Sequence, residues 1–194
     1  MENRWIQAAT ILPPTLKVCG RRLLPFCLRH RVALEAIESP LVLTSKPMSP
    51  LDLIVAIRIL ASHDITEVRK PLTISERWHL ARLSVSEKRF IDEAQKVVIY
   101  FEAQSLWPRF WSKDEKNESG GLSWHLAVIA NLVRNGCTLS EAWTMPESEA
   151  VWLHIAHCKA EGAKVDIVSD REWDAMEAYK KEEAATKAKP NTRN

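Results

Sequence analysis

The feature that most constrains what this chain can fold into is a series of hydroxyl-x-x-glutamate quartets: Thr73 with Glu76, Ser84 with Glu87, Thr138 with Glu141, and Ser169 with Glu172. In each, the hydroxyl and the carboxylate reciprocally satisfy amide donors that a helix start leaves without partners, so each predicts a helix beginning there. A fifth quartet, Thr144 with Glu147, carries Pro146 between its members and opens a helix that Gly162 can close in the left-handed conformation. Ser49-Pro50-Leu51-Asp52 combines a hydroxyl cap, a proline at the first helical position and a first-turn carboxylate, which predicts a buried helix over Leu51 to Ala61. The resulting expectation is a mainly α protein, a multi-helix bundle.

Ahead of these starts, Thr15 to Leu24 alternates apolar and polar residues around Gly20, the pattern of a small N-terminal β-hairpin. Pro25 can then sit in the first turn of a helix running to about Ile37, with Pro40 as its stop. After Ser84, Phe90, Ala94, Val97, Val98 and Phe101 recur at helical spacing, so a long helix packs one face inward until Pro108 ends it. Lys113 to Gly121 reads as a polar loop, Leu122 to Asn135 as a helix closed by Gly136, and Val165 to Val168 as a short connecting strand. This divides the chain into an N-terminal hairpin-plus-helical part (1–112), a C-terminal helical unit (122–179) and a disordered tail (180–194), which has almost no large apolar residue after Tyr179.

Composition narrows the classes. The chain has 194 residues, 46% hydrophobic and 27% charged, with a net charge of +2, the balance of an ordinary soluble protein long enough to bury a core. The most apolar segment, Leu51 to Ala61, contains Asp52 and Arg58 and is about half a bilayer span, so neither a signal peptide nor a membrane helix is expected. Cys19, Cys27, Cys137 and Cys158 lack paired spacing, which suits a reducing cytoplasm without disulfides. Charge is uneven: residues 1–46 hold seven Lys or Arg against three Glu, while the remainder is mildly acidic.

The residues with chemistry to offer each have a plain packing role as well. His154, His157 and Cys158 lie within little more than one helical turn, with Cys137 or His125 as distant fourth ligands, but the spacing matches no standard zinc signature. The Cys19, Cys27 and His30 group reads as buried structure, because free cysteine behaves as a small hydrophobe. No cysteine sits in a nucleophile elbow, and Gly120-Gly121 is not followed by a phosphate-loop Lys. Neither a metal, nor a cofactor, nor a catalytic residue is therefore assigned. Thr138 to Ala156 imitates a helix-turn-helix, yet Glu147 and Glu149 at the reading end would face phosphates. The basic stretch Arg21, Arg22, Arg29, His30 and Arg31 is the better candidate for an acidic partner.

Two stretches resemble a known family. Val18-Cys19-Gly20-Arg21-Arg22-Leu23-Leu24-Pro25-Phe26-Cys27-Leu28-Arg29-His30, followed by Leu34, Ile37, Ser39, Pro40 and Leu41, is similar to the opening of small tail assembly chaperones of tailed bacteriophages. Ser123 to Gly162, with Gly136, Thr138-Leu139-Ser140-Glu141-Ala142-Trp143 and Met145-Pro146, is similar to the C-terminal helical part of such proteins. The resemblance covers roughly a third of the chain and does not extend to Ser49 to Gly121. It implies a non-enzymatic role in the host cytoplasm: such proteins coat the helical tape measure protein, keep it soluble and recruit tail tube subunits.

A binder of helical segments needs apolar grooves with Trp or Met anchors, and eight of the fourteen aromatic residues here are Trp. Trp124, Trp143, Met145 and Trp152 are the candidate groove residues, with Arg21, Arg22 and Arg29 as a basic face. The partners expected are tape measure protein, tail tube protein and a second copy of the chain; membrane and nucleic acid are not. Two alternatives stay open: a nucleic-acid-associated or regulatory helical protein using the basic N-terminal face, and a metal-dependent enzyme on His154, His157 and Cys158.

Overall fold

The computed structural model describes residues 5, 6, 8, 16–43, 46–112, 123–168 and 170–187. Strands β1 (Lys17–Val18) and β2 (Arg21–Arg22) pair antiparallel, Lys17 opposite Arg22 and Val18 opposite Arg21. The turn residues Cys19 and Gly20 both take positive φ, +47° and +76°, the primed geometry whose twist matches a tight hairpin. Val18 and Leu23 enter the core beside it.

Helix α1 covers Leu28–Ala36, later than the start expected at Pro25. Residues 24–27 stay extended because distant groups take their backbone bonds. Leu24 N–H donates to the Leu60 carbonyl at 2.9 Å, Phe26 N–H to Gln104 Oε1 at 2.6 Å, and Phe26 O accepts from Glu147 N–H at 2.8 Å. Helix α2 (Pro50–Leu60) begins as expected, with Ser49 Oγ accepting from Asp52 N–H at 3.2 Å and Asp52 Oδ2 accepting from Ser49 N–H at 2.9 Å. Leu53, Ile54, Ala56, Ile57, Ile59 and Leu60 are all buried, so α2 is apolar around most of its circumference and runs through the core.

A 3-10 turn (Ile65–Arg69) leads to α3 (Ile74–Val85), α4 (Glu87–Gln104), β3 (Phe110–Ser112), α5 (Trp124–Arg134), α6 (Leu139–Thr144), α7 (Glu147–Ala160), β4 (Val165–Ile167) and α8 (Asp170–Lys187). The Thr73/Glu76 and Thr138/Glu141 boxes form in full. Two others do not. Ser84 stays inside α3, its Oγ donating to Leu80 O at 2.9 Å, and Ser86 caps α4 instead, because it alone breaks the helical backbone between α3 and α4. Thr144 Oγ1 donates back to Ser140 O at 2.9 Å, since Glu147 is drawn away into an ion pair with Arg31. Ser169 lies outside the described residues, as do 113–122, where the sequence predicts a polar loop. Helix α8 continues past Tyr179 to Lys187, so part of the segment read as disordered tail is helical, and 188–194 lie outside the described residues.

The protein is mainly α with a small N-terminal hairpin. The strand read at Val165 to Val168 finds its partner in β3, Phe110 opposite Ile167, a pairing that nothing near it in the sequence announces. Two apolar clusters form. The first gathers the hairpin, α2, α3 and α4 around Leu53, Ile57, Leu60, Val97 and Tyr100; the second gathers α5, α6 and α7 around Val128, Leu132 and Ala150. Helix α1 belongs to both, Leu34 packing in the first and Leu28 in the second. The four cysteines are free, and among the described residues no helix is long and apolar enough to cross a membrane.

Candidate interaction surface

The outward face of α3 follows from what its inward face holds. Thr73 Oγ1 accepts from Glu76 N–H at 3.3 Å and Glu76 Oε2 accepts from Thr73 N–H at 2.7 Å, which starts the helix. Glu76 then turns inward. Both its oxygens receive the guanidinium of Arg58, which is 3% exposed, and Oε1 also pairs with Arg21 Nη2 at 2.9 Å. Arg58 further donates to the carbonyls of Glu67, Lys70 and Pro71 at 3.1, 2.5 and 3.2 Å. The Arg58 hydrogen bonds hold the Glu76 carboxyl down to about 2, against burial acting to raise it.

With Glu76 and Leu83 fixed inward, a period of 3.6 residues turns Ile74, Trp78, Ala81 and Val85 to the opposite side. Ile74 is 88%, Trp78 54% and Val85 89% exposed, so this is a genuine apolar stripe in water, about three turns long. Arg82 lies over the Trp78 ring at 4.2 Å and His79 meets its edge at 4.9 Å, which hold the indole in place. On α4, Ile91, Val98 and Ile99 are also exposed.

No family model, curated protein or solved structure matches this chain. The residues nominated from sequence therefore stand on geometry alone. Trp124 is 38% exposed, its ring tilted 35° against that of His125 at 4.0 Å and edge-on to Trp107 at 5.2 Å. Trp143 and Met145 are half-buried and pack against the second cluster. Trp152 is half-buried and donates its indole N–H to Leu106 O at 2.7 Å. Three of the four thus serve the packing of the C-terminal helices, and Trp124 sits at their margin.

The basic stretch is also dispersed. Arg21 pairs with Glu76, and Arg29 donates Nη1–H to His63 O at 3.0 Å. Arg31 grips Glu147 with two bonds, one of them Nη2–H to Oε2 at 2.9 Å, among the rings of Phe26, Trp107 and Trp124. Arg22 stands exposed on β2, while His30 is fully buried. The helix-turn-helix outline fares similarly. Glu147, Ser148, Ala150 and Val151 at the start of α7 are buried, so that end faces the protein interior. Burial pushes the Glu147 carboxyl upward, and Arg31 pulls it part of the way back.

Sequence reasoning missed the α3 stripe, although the 74, 78, 81, 85 spacing was there to be read once a helix start at Thr73 was assigned. His154 and Cys158 are neighbours, Sγ to Nε2 3.8 Å, but His157 turns to Asn131 Oδ1 at 3.2 Å. Cys19 does not join Cys27 and His30 in a cluster and lies instead beside Glu93, whose Oε2 accepts from its backbone N–H at 2.8 Å.

Proposed function

We propose that this chain is a non-enzymatic tail assembly chaperone of the phage or prophage kind, which binds the tape measure protein and tail tube subunits in the host cytoplasm while the tail is built. The observation that carries the reading is the exposed α3 stripe of Ile74, Trp78, Ala81 and Val85. A helical partner of three turns can lay its own apolar face along it, burying side chains that otherwise meet water at an unfavourable 25 cal/mol per Å², roughly. The resemblance of residues 15–42 and 123–162 to tail assembly chaperones supplies the identity of that partner. Trp124, Trp143, Met145 and Trp152 then contribute mainly by shaping the C-terminal helices, and Arg22 by its exposed charge on β2.

Co-expression in turn with the tape measure protein and with the tail tube protein of its own tail gene cluster, each followed by size-exclusion chromatography, tests this. A stable complex is expected, lost in Ile74→Glu and Val85→Glu while helical content and melting stay unchanged. A complex indifferent to both changes removes the α3 face from the interaction, and no complex with either tail protein refutes the chaperone reading.

A further inference from the structure

We propose that Cys27, His30 and His63 form a binding site for a divalent transition ion of the zinc class, a clip between the start of α1 and the end of α2. The fold brings these three together from separate places. Cys27 stands at the N-cap position of α1, His30 follows one turn later on the same side, and His63 emerges just beyond α2, 36 residues from Cys27. One ligand atom from each lies within 4.8 Å of the other two, and Cys27 Sγ is 3.9 Å from His63 Nδ1. Around tetrahedral zinc, with Zn–S near 2.3 Å and Zn–N near 2.0 Å, a sulfur and a nitrogen sit about 3.5 Å apart, so closure by a few tenths of an ångström suffices for that pair.

His30 supplies the independent observation. Its Nε2 lies 3.0 Å from the Ser62 carbonyl, which can only accept, so Nε2 carries the proton and Nδ1 carries a bare lone pair. The residue is completely buried, and no donor faces Nδ1, the Pro25 carbonyl near the ring being an acceptor like that of Ser62. A buried acceptor without a donor is costly, and an imidazole that donates one nitrogen to a backbone carbonyl presents the other as a metal ligand. The His30 and His63 rings lie parallel, 6° between planes and 5.3 Å between centres, so chelation requires His63 to turn about its side-chain bonds. It is the half-buried member of the set, in the segment that follows α2, while its backbone is held by Arg29 on the carbonyl. On binding, the Cys27 thiol proton leaves to solvent and the thiolate sulfur takes its place on the ion. Water completes the fourth position, the arrangement of three-ligand zinc sites.

Cobalt titration of the full chain, freed of metal by chelator and kept reduced, tests the assignment, because a thiolate ligand gives Co²⁺ a charge-transfer band that imidazoles alone do not. One equivalent and a band that zinc abolishes by displacement are expected. Cys27→Ser should remove the band, and Cys158→Ser should leave it, since Cys158 with His154 is the competing thiol-imidazole pair. His63→Gln should weaken binding by more than about 100-fold, as replacing even a partner that only orients a ligand costs roughly 10–100-fold. Being half-buried, that variant should keep its helical signal, so it decides the matter if Cys27→Ser fails to fold. No band in the unaltered chain, a band that survives Cys27→Ser, unchanged affinity in folded His63→Gln, or a band lost in Cys158→Ser would each overturn the site.

Discussion

Replacing Glu76 tests how the first core is held. Glu76 is 6% exposed in its side chain, receives Arg58, which is 3% exposed, and closes the cap on Thr73. Glu76→Ala leaves a buried guanidinium without its counter-charge, a loss of about 3–5 kcal/mol, and removes a cap contribution of about 1 kcal/mol. Against a total stability of roughly 5–15 kcal/mol, the variant should be marginal, melting roughly 10–20 °C lower. Glu76→Gln keeps one acceptor oxygen and sets its NH2 against the donors that met the other, but three carbonyls still hold Arg58, so its loss should be about 2–3 kcal/mol, smaller than that of alanine. The charge also writes a pH signature. An unfolded Glu76 titrates at its ordinary 4.5 and the folded one at about 2, so between them the unfolded chain binds more protons. The resulting contribution, about 3 kcal/mol, is fully present above pH 4.5 and disappears as pH falls through 2. Urea unfolding followed by circular dichroism from neutral pH down to the acid limit measures both effects. A loss below about 1 kcal/mol in Glu76→Ala, or an acid profile unchanged in Glu76→Gln, would refute a pair that stabilises the fold.

Arg31→Met should destabilise by about 3–5 kcal/mol at neutral pH by stranding Glu147, and the deficit should shrink in acid, where the buried carboxyl takes up a proton more readily than in the unfolded chain; chemical denaturation at two pH values checks it. Trp78→Ala should change stability by no more than about 0.5 kcal/mol while weakening partner binding, whereas Trp152→Ala should lose about 2 kcal/mol or more with its packing and its bond to Leu106; calorimetry beside a binding assay separates the two. Thr138→Ala should cost about 1 kcal/mol through the α6 cap, where Thr138 Oγ1 accepts from Glu141 N–H at 3.2 Å, read as a small fall in melting temperature.

Much of the helical framework was legible because its signals are local. Ser49 with Asp52, Thr73 with Glu76 and Thr138 with Glu141 each settle a helix start inside a single turn, and Gly20, with apolar and polar residues alternating around it, marks the hairpin turn, into which Cys19 is carried against its own preference. The same logic failed where a rival lay nearby or far away. Ser86 displaced Ser84 as the cap of α4, and Arg31 took Glu147 from Thr144 across 116 positions of sequence.

What the sequence by itself determined is therefore most of the elements: a hairpin, helices with the caps that close within one turn, and a mainly α class. Only the tertiary structure decided partners. It turned Arg21, Arg29 and Arg31 from an apparent basic face into tethers, placed Trp143, Met145 and Trp152 in packing and Trp78 in water, and set His63 beside Cys27 and His30. A cap closes over three residues and is encoded there. Which side of a helix is covered, and which charge meets which, depends on how all the apolar faces bury together, a condition that no short stretch of the chain contains.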